Sequence, residues 1–287
     1  MMSASNNSAV VPVKGVSPDL LEKLEQVKEI LRPMKRAVVA YSGGVDSTLV
    51  AKVALDVLGA ENVLAVIASS ASFSAEEERE AMDLVNEIGV PFIRVETSEV
   101  DDPRYAANPT NRCYFCKEHV YGALVEVAQE HAFENIVDGF NIDDTGDFRP
   151  GRKAGRELGV RSPLCEAGLN KEEIRALARH LGLSNWAKPA MACLSSRVEY
   201  GTPITIQILK QVDVAEQALR RLGFEDLRVR HHDKLARIEV DPMAIDRALT
   251  AREEIIKAVK SAGYIYVTLD LQGLRHGSMN EGLLPRG

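Results

Sequence analysis

The sequence predicts an α/β protein, a parallel sheet covered by helices on both faces, followed by a smaller α+β domain. Three observations carry this. Short apolar runs alternate one for one with amphipathic stretches between Ala37 and Asp138, the order of a right-handed βαβ chain. The runs AVVAY and VLAVIA are apolar almost throughout, as strands covered on both faces are. Beyond Tyr200 the order changes to one long helix, two strands, two short helices and a last strand. The domain boundary is therefore placed near Tyr200, with a disordered arm over residues 1–16, the α/β domain over 17–200 and the α+β domain over 201–287.

The elements follow in order. Ser17-Pro18-Asp19 opens a helix whose Leu20, Leu21, Leu24, Val27 and Leu31 share a face, and Pro33 ends it. Ala37–Tyr41 is the first strand, and a helix over Ser47–Leu58 stops at Gly59. Val63–Ala68 is the second strand, followed by a helix over Ser74–Ile88 with an acidic first turn, stopped by Gly89. Pro91–Val95 is the third strand, 97–112 a loop, Tyr114–Glu130 a helix and Asn135–Asp138 the fourth strand. Asn170 caps a helix over Lys171–Leu181, and the turn-rich segment Ser184–Thr202 follows. In the tail, Ile204–Leu222 is helical, Leu227–His231 and Ala236–Val240 are strands, Ala244–Leu249 and Glu253–Ala262 are helices, and Tyr264–Leu269 is the last strand.

At 287 residues the chain is long enough to bury a core without staples, and its 45% hydrophobic and 27% charged fractions are ordinary for a globular protein. No run approaches the roughly 20 apolar residues of a membrane span, and the first residues lack the basic and apolar regions of a signal peptide. A cytoplasmic location is expected. The net charge is −7, and residues 201–287 carry 13 Lys and Arg against 12 Asp and Glu. That balance argues against a long polyanion as partner, because nucleic-acid binding calls for a basic surface.

Ser42-Gly43-Gly44-Val45-Asp46-Ser47 lies between the first strand and the first helix of the sheet. Adjacent glycines let several backbone N–H groups point into one concavity, and the helix N-terminus adds donors and a favourable dipole. No lysine follows the glycines, so this is not the Walker pattern. A plain glycine-rich turn is the alternative reading. Asp138-Gly139-Phe140-Asn141-Ile142-Asp143-Asp144 follows the fourth strand and brings acids to the same sheet edge, as oxygen ligands for Mg²⁺ or as an Asx-rich turn.

The motif SGGVDS resembles the PP-loop of the ATP pyrophosphatase superfamily, whose fold is the parallel-sheet, adenine nucleotide α-hydrolase-like domain. The resemblance implies that ATP is cleaved between its α and β phosphates while a substrate oxygen is adenylated. Ser42, Gly43, Gly44, Asp46 and Ser47 would bind the phosphates, Val66–Ser69 (Ala68 and Ser69 among them) would line the adenine, and Gly139 and Asn141 would complete the nucleotide site. Asp46, with Asp144 as a weaker partner, would hold Mg²⁺.

Four cysteines remain: Cys113, Cys116, Cys165 and Cys193. In a cytoplasmic chain they point to metal binding or catalysis more than to disulfides. The spacing in Arg112-Cys113-Tyr114-Phe115-Cys116-Lys117 puts two sulfurs on one side of a helix start, as a redox pair, half a zinc site or half an iron–sulfur site. His119 and Cys165 are the nearest further zinc ligands by sequence, at spacings that do not single them out, and Cys165 reads as structural.

The PP-loop, RCYFCK, GFNIDD, SPL, KPAMACLSSR and YGTPIT together resemble the LarE family over most of residues 18–270. Members are ATP-dependent sulfur transferases of nickel-pincer nucleotide cofactor synthesis. They adenylate a carboxylate of pyridinium-3,5-biscarboxylic acid mononucleotide, and a sulfur nucleophile displaces AMP to leave a thiocarboxylate. Cys193 matches the sulfur-bearing cysteine. One-cysteine members give up their own sulfur, and three-cysteine members are associated with a [4Fe–4S] cluster, which here would rest on Cys113, Cys116 and Cys193. Glu216 matches an active-site acid, and Arg197 would hold the substrate or the departing AMP. Arg228 and Arg230 share a strand face with His232 and would bind the substrate phosphate. The tail domain would then serve substrate binding and oligomerisation, with a trimer or hexamer expected. The implied partners are the small nucleotide substrate and a sulfur donor, with no membrane and no nucleic acid. A tRNA thiolase of the same superfamily is the main rival, disfavoured by the acidic charge. An ammonia-using synthetase and a non-catalytic nucleotide sensor are others.

Overall fold

The computed structural model describes residues 16–145, 150–189, 192–275 and 278. The arm expected over 1–16 lies outside these residues except for Val16.

Helix α1 (Pro18–Leu31) starts where Ser17 Oγ accepts from Leu20 N, with Pro18 at the first helical position, where its missing N–H is not needed. Leu20, Leu24, Val27 and Leu31 form its buried face, each side chain contributing roughly 1.5–3 kcal/mol on leaving water. Strands β1 (Ala37–Ala40), β2 (Val63–Ser69), β3 (Phe92–Glu96) and β4 (Asn135–Val137) form a parallel sheet in the order β3-β2-β1-β4. Helices α2 (Val45–Leu58) and α3 (Ala75–Glu87) join the first three strands. Alternate residues serve opposite faces. Ala37, Val39, Ala65 and Ile67 pack with α1 and α2, whereas Val38, Leu64 and Val66 pack with Tyr121, Leu124 and Val127 of α5 (Arg112–Glu130). Both faces are covered, which is why the strands carry no polar alternation.

The chain moves outward from β1 to β2 and β3, then returns to the far side of β1 as β4. The carboxyl ends of β1 and β4 therefore flank the point where the winding reverses, where open α/β sheets bind ligands.

The segment expected as a loop over 97–112 contains a 3₁₀ turn (Glu99–Asp101) and the short helix α4 (Pro103–Ala106). Two further helices, α6 (Pro150–Glu157) and α7 (Pro163–Glu166), have no sequence counterpart. The reason is visible in α6, whose sequence PGRKAGRE has no apolar stripe. Its glycines instead permit close approach to α5: a Cβ at Gly151 would lie 2.7 Å from Lys117 Cγ, and one at Gly155 3.1 Å from the Tyr121 ring. Helix α8 (Lys171–His180) carries a complete capping box between Asn170 and Glu173.

The second sheet has the order β5 (Leu227–His232), β6 (Leu235–Val240), β7 (Tyr266–Leu269), antiparallel then parallel. Helices α9 (Ile206–Arg221), α10 (Ile245–Thr250) and α11 (Arg252–Ser261) cover one face, with Ala215, Leu219, Val229, Ile238 and Val259 in its core. Between the sheets, Leu194, Val198 and Ile204 pack with Tyr105 of α4 and with Leu209 and Val212 of α9. No helix among the described residues is long and apolar enough to cross a membrane.

Candidate functional site

The glycine loop leaves β1 at the winding reversal and runs into α2, whose first residues follow Gly44. Gly43 has φ +69°, and a Cβ on it would sit 2.6 Å from Ala81 Cβ and 2.8 Å from Ala81 Cα of α3. Glycine is thus required there twice, by the backbone angle and by the lack of space. Ser47 Oγ accepts from Ser42 N at 3.2 Å and donates to Gly44 O at 3.1 Å, folding the loop over the helix start. Thr48 Oγ1 also donates to Gly44 O, at 2.9 Å. Gly139, just beyond β4, closes the other side: a Cβ there would lie 2.7 Å from Ser47 N.

Asp46, in the first turn of α2, points one carboxylate oxygen at Lys171 Nζ in a close ion pair. Its other oxygen, Oδ1, is buried with no hydrogen-bond partner. Burial raises the Asp46 carboxyl above its ordinary range, Lys171 opposes the rise, and the Asp144 charge adds to it. A half-buried carboxylate with one buried, unpartnered oxygen and a second acid nearby fits a hard cation such as Mg²⁺.

The acids after β4 divide by task. Asp138 accepts from Tyr121 Oη and Ser162 Oγ, both at 2.7 Å, and so anchors the loop. Asn141 Oδ1 accepts from Asp143 N at 3.0 Å, and Asp143 accepts from Lys171 N at 2.8 Å. Asp144 accepts from Asn141 N at 3.2 Å and is the acid that acts on Asp46. At the end of β2, Ala68 is half-buried, and Ser69 Oγ is engaged by Glu78 and Arg94, each at 2.8 Å.

Cys113 and Cys116 sit in the first turn and a half of α5, the former exposed and the latter half-buried against Tyr105 and Leu194. Cys193 is exposed and directly precedes the 3₁₀ turn Leu194–Arg197. Burial pushes the Cys116 thiol up, as does Glu99, and Cys193 and Cys113 act on it in the same direction. The three cysteines thus share one neighbourhood. Among the described residues, however, no group of three or more His, Cys, Asp or Glu is gathered as a metal ligand set. Cys165 belongs to α7, where its N–H donates to Phe140 O and Arg152 reaches its sulfur at 3.6 Å.

Arg197 and Glu216 are both 1% exposed and form a two-pronged ion pair. The remaining Arg197 nitrogen donates to Cys193 O at 3.1 Å, to Ser196 Oγ and to Ala192 O. The guanidinium therefore braces the backbone that carries Cys193. Arg230 is likewise internal: Nε and Nη2 meet Glu239 at 3.0 and 2.8 Å, and Nη1 meets Ser196 O at 3.2 Å. Arg228 differs. It lines a cavity of about 710 Å³ with Lys188, Arg220 and Asn185, whose wall also carries seven acids, Glu77 and Asp226 among them. Burial and the charges of neighbouring Arg197 and Arg230 lower its guanidinium pKa, while Glu216 offsets part of that. Of the two arginines expected to hold a phosphate, Arg228 is the one facing open space, and Arg230 is tied to Glu239.

Three residues without a signal in local sequence belong to this region. Lys171 pairs with Asp46, but follows a helix cap and reads as ordinary first-turn sequence. Asn185 donates to Gly43 O across 142 positions. Glu99, 1% exposed, accepts from Ser70 and Ser72 at 2.6 Å beside the cysteines. None of these shows in local periodicity, since each depends on chain crossings.

The sheet order, the glycine loop at the winding reversal and the acid in the following helical turn define a PP-loop α/β protein of the ATP pyrophosphatase class. Sequence comparison agrees: the NAD synthase family profile matches residues 20–111. The chain is 45% identical over 266 residues to an uncharacterized protein of Synechocystis sp., covering 92% of this chain and 99% of that one. It is 43% identical over 253 residues to the pyridinium-3,5-bisthiocarboxylic acid mononucleotide synthase of Lactiplantibacillus plantarum, covering 88% and 92% respectively. A more distant relative, an uncharacterized protein of Methanocaldococcus jannaschii, is 28% identical over 255 residues, 88% of this chain and 97% of that one. The protein belongs to the LarE family of enzymes.

Proposed function

We propose that this chain uses ATP to convert a carboxylate of pyridinium-3,5-biscarboxylic acid mononucleotide to a thiocarboxylate. The observations that carry the reading lie in residues 185–189 and 192–197. Asn185 is bonded to the phosphate loop, Lys188 and Asn185 wall the cavity that Arg228 faces, and Cys193 follows on backbone held by Arg197. Residues 185–189 thus join the proposed phosphate and substrate positions, and 192–197 carry the proposed sulfur position. The relative from L. plantarum, named for the bisthiocarboxylic acid product, supports the same chemistry.

In this reading a substrate carboxylate oxygen attacks the α-phosphorus of ATP, and the bond to the bridging oxygen of the β-phosphate breaks. Backbone N–H groups of Gly43–Ser47 would receive the developing charge on pyrophosphate. Asp46, with Asp144, would hold Mg²⁺, which neutralises phosphate charge when bound. A carboxylate is already ionised, so this step needs no general base. Sulfur then attacks the acyl carbon, and AMP leaves with the electron pair of the acyl–oxygen bond. Cys113, Cys116 and Cys193 would hold a [4Fe–4S] cluster, whose chemistry when bound would be to provide sulfur for this step. The donor chemistry and the shared neighbourhood support this assignment. Arg228 would receive the substrate phosphate.

The test is incubation with ATP, Mg²⁺ and the dicarboxylate nucleotide, followed by mass spectrometry. The expected product shows the mass gain of oxygen-to-sulfur exchange, with pyrophosphate released. Sulfur appearing in tRNA instead would support a thiolase. For the cluster, anaerobic reconstitution should load about four equivalents each of iron and sulfide. Equal loading in a Cys113→Ala, Cys116→Ala double variant would remove that assignment.

A further inference from the structure

We propose that Asn185 is a positioning residue for the phosphate loop, acting through Gly43, an inference that rests on the ATP-binding reading above. Asn185 is 7% exposed and lies in the segment after α8, far along the chain from the loop it touches. Its Nδ2 donates to Gly43 O at 3.2 Å and to Thr48 Oγ1 at 3.0 Å. The orientation of the amide is settled by chemistry, because a peptide carbonyl only accepts and must face the NH₂ group. Thr48 fits the same scheme. Its hydroxyl proton goes to Gly44 O at 2.9 Å, leaving lone pairs for Asn185 and for Tyr41 Oη at 3.2 Å.

The consequence follows from peptide geometry. In a trans peptide the C=O and the next N–H point in opposite directions. Drawing the Gly43 carbonyl inward to Asn185 therefore turns the Gly44 N–H outward, where it donates a long, exposed hydrogen bond to Ser42 Oγ at 3.4 Å. That N–H belongs to the set expected to receive phosphate. Gly43 sits at φ +69° and has no side chain to fix its peptide plane. An external clamp is what a loop of two adjacent glycines lacks on its own. Asn185 supplies it from a segment that also walls the cavity faced by Arg228.

The test measures binding of ATP, pyrophosphate and AMP to the full chain and to Asn185→Leu and Asn185→Asp, with thermal melting recorded for each. Leu removes both donors at similar volume, and Asp puts acceptors against the Gly43 carbonyl. Both variants are expected to bind ATP and pyrophosphate about 10- to 100-fold more weakly, Asp more than Leu, while AMP affinity stays within about twofold. A merely structural asparagine would lower the melting temperature without this split between pyrophosphate and AMP. If the parent binds pyrophosphate and both folded variants bind it within twofold of the parent, the proposal is overturned and the ATP reading stands. A parent that binds neither ATP nor pyrophosphate overturns the ATP reading, and the clamp with it.

Discussion

Arg197 and Glu216 meet side-on in the interior, Nε to Oε1 at 2.9 Å and Nη2 to Oε2 at 3.0 Å, and the same guanidinium holds the backbone of Cys193. Glu216 also accepts from Val229 N at 2.9 Å, so the pair ties α9 and β5 to the cysteine-bearing turn. Such a pair is strongly destabilising to break from one side, because the survivor is left charged and dry. Glu216→Ala should lower unfolding free energy by about 3–5 kcal/mol, measured by urea titration. An Arg197→Met, Glu216→Met double variant should recover part of that loss while still displacing the Cys193 turn, read as faster proteolysis near Ser196.

The pair also sets an acid limit. Burial works to raise the Glu216 carboxyl, and the charge and hydrogen bonds of Arg197 outweigh it, so the group titrates below its ordinary 4.5. A carboxyl depressed on folding contributes stability that is complete above its unfolded value and is lost as pH falls through the folded one. The urea midpoint should be level from pH 6 to 8 in this respect and fall below about pH 4.5. In Glu216→Gln that acid limb should be shallower. An unchanged limb would mean that other carboxylates set it.

Much of the sheet was legible because burial on both faces removes polar alternation and leaves runs such as VLAVIA. The PP-loop was legible because its glycines and Asp46 are contiguous. What stayed hidden depends on contacts between distant segments. Lys171 on Asp46, Asn185 on Gly43 and Glu239 on Arg230 each look like solvated polar residues in sequence. Helix α6 was hidden for a different reason, since its contact with α5 is made through glycines and not through an apolar stripe.

Asp46 separates stability from chemistry. Its side chain is 22% exposed and that of Lys171 29%, so the ion pair is partly solvated and its removal should change stability by less than about 1 kcal/mol. Asp46→Asn should nonetheless lower carboxylate-dependent pyrophosphate release by roughly 100-fold or more, the scale on which loss of one preorganised charge-stabilising group acts. Calorimetric melting and a coupled pyrophosphate assay on the same preparation check both halves. A large fall in melting temperature with unaltered turnover per folded molecule would reverse the assignment.

The cysteines should differ in reactivity before any metal is loaded. Thiolates are the reacting species, and burial, with Glu99, pushes the Cys116 thiol upward, whereas Cys113 and Cys193 are exposed. Timed iodoacetamide labelling of metal-free protein near pH 8, read by peptide mass spectrometry, should modify Cys113 and Cys193 at least about tenfold faster than Cys116. Reconstitution with iron and sulfide should then protect all three if they share a cluster. Protection of Cys113 and Cys116 without Cys193 would place the metal on the helix pair alone.

Glycines at the phosphate loop and at the far end of α2 give a graded test of the loop geometry. Gly59 has φ +82° and ψ 158° with nothing within 4 Å of an added Cβ, so Gly59→Ala meets only the strain of a nearly glycine-only backbone region, about 1–3 kcal/mol, and should leave ATP affinity unchanged. Gly43→Ala meets backbone strain at φ +69° and also drives a Cβ to 2.8 Å from the Ala81 backbone, adding an overpacking cost of about 1–3 kcal/mol. Gly139→Ala has no strained φ, yet its Cβ would press to 2.7 Å from Ser47 N at the start of α2. It should therefore carry a similar overpacking cost and also weaken ATP binding, because the displaced groups are the first-turn donors of the helix. Urea titration and ATP calorimetry on the three variants distinguish these cases: Gly59→Ala moves stability alone, whereas Gly139→Ala and Gly43→Ala move both, Gly43→Ala losing more stability because backbone strain adds to its clash.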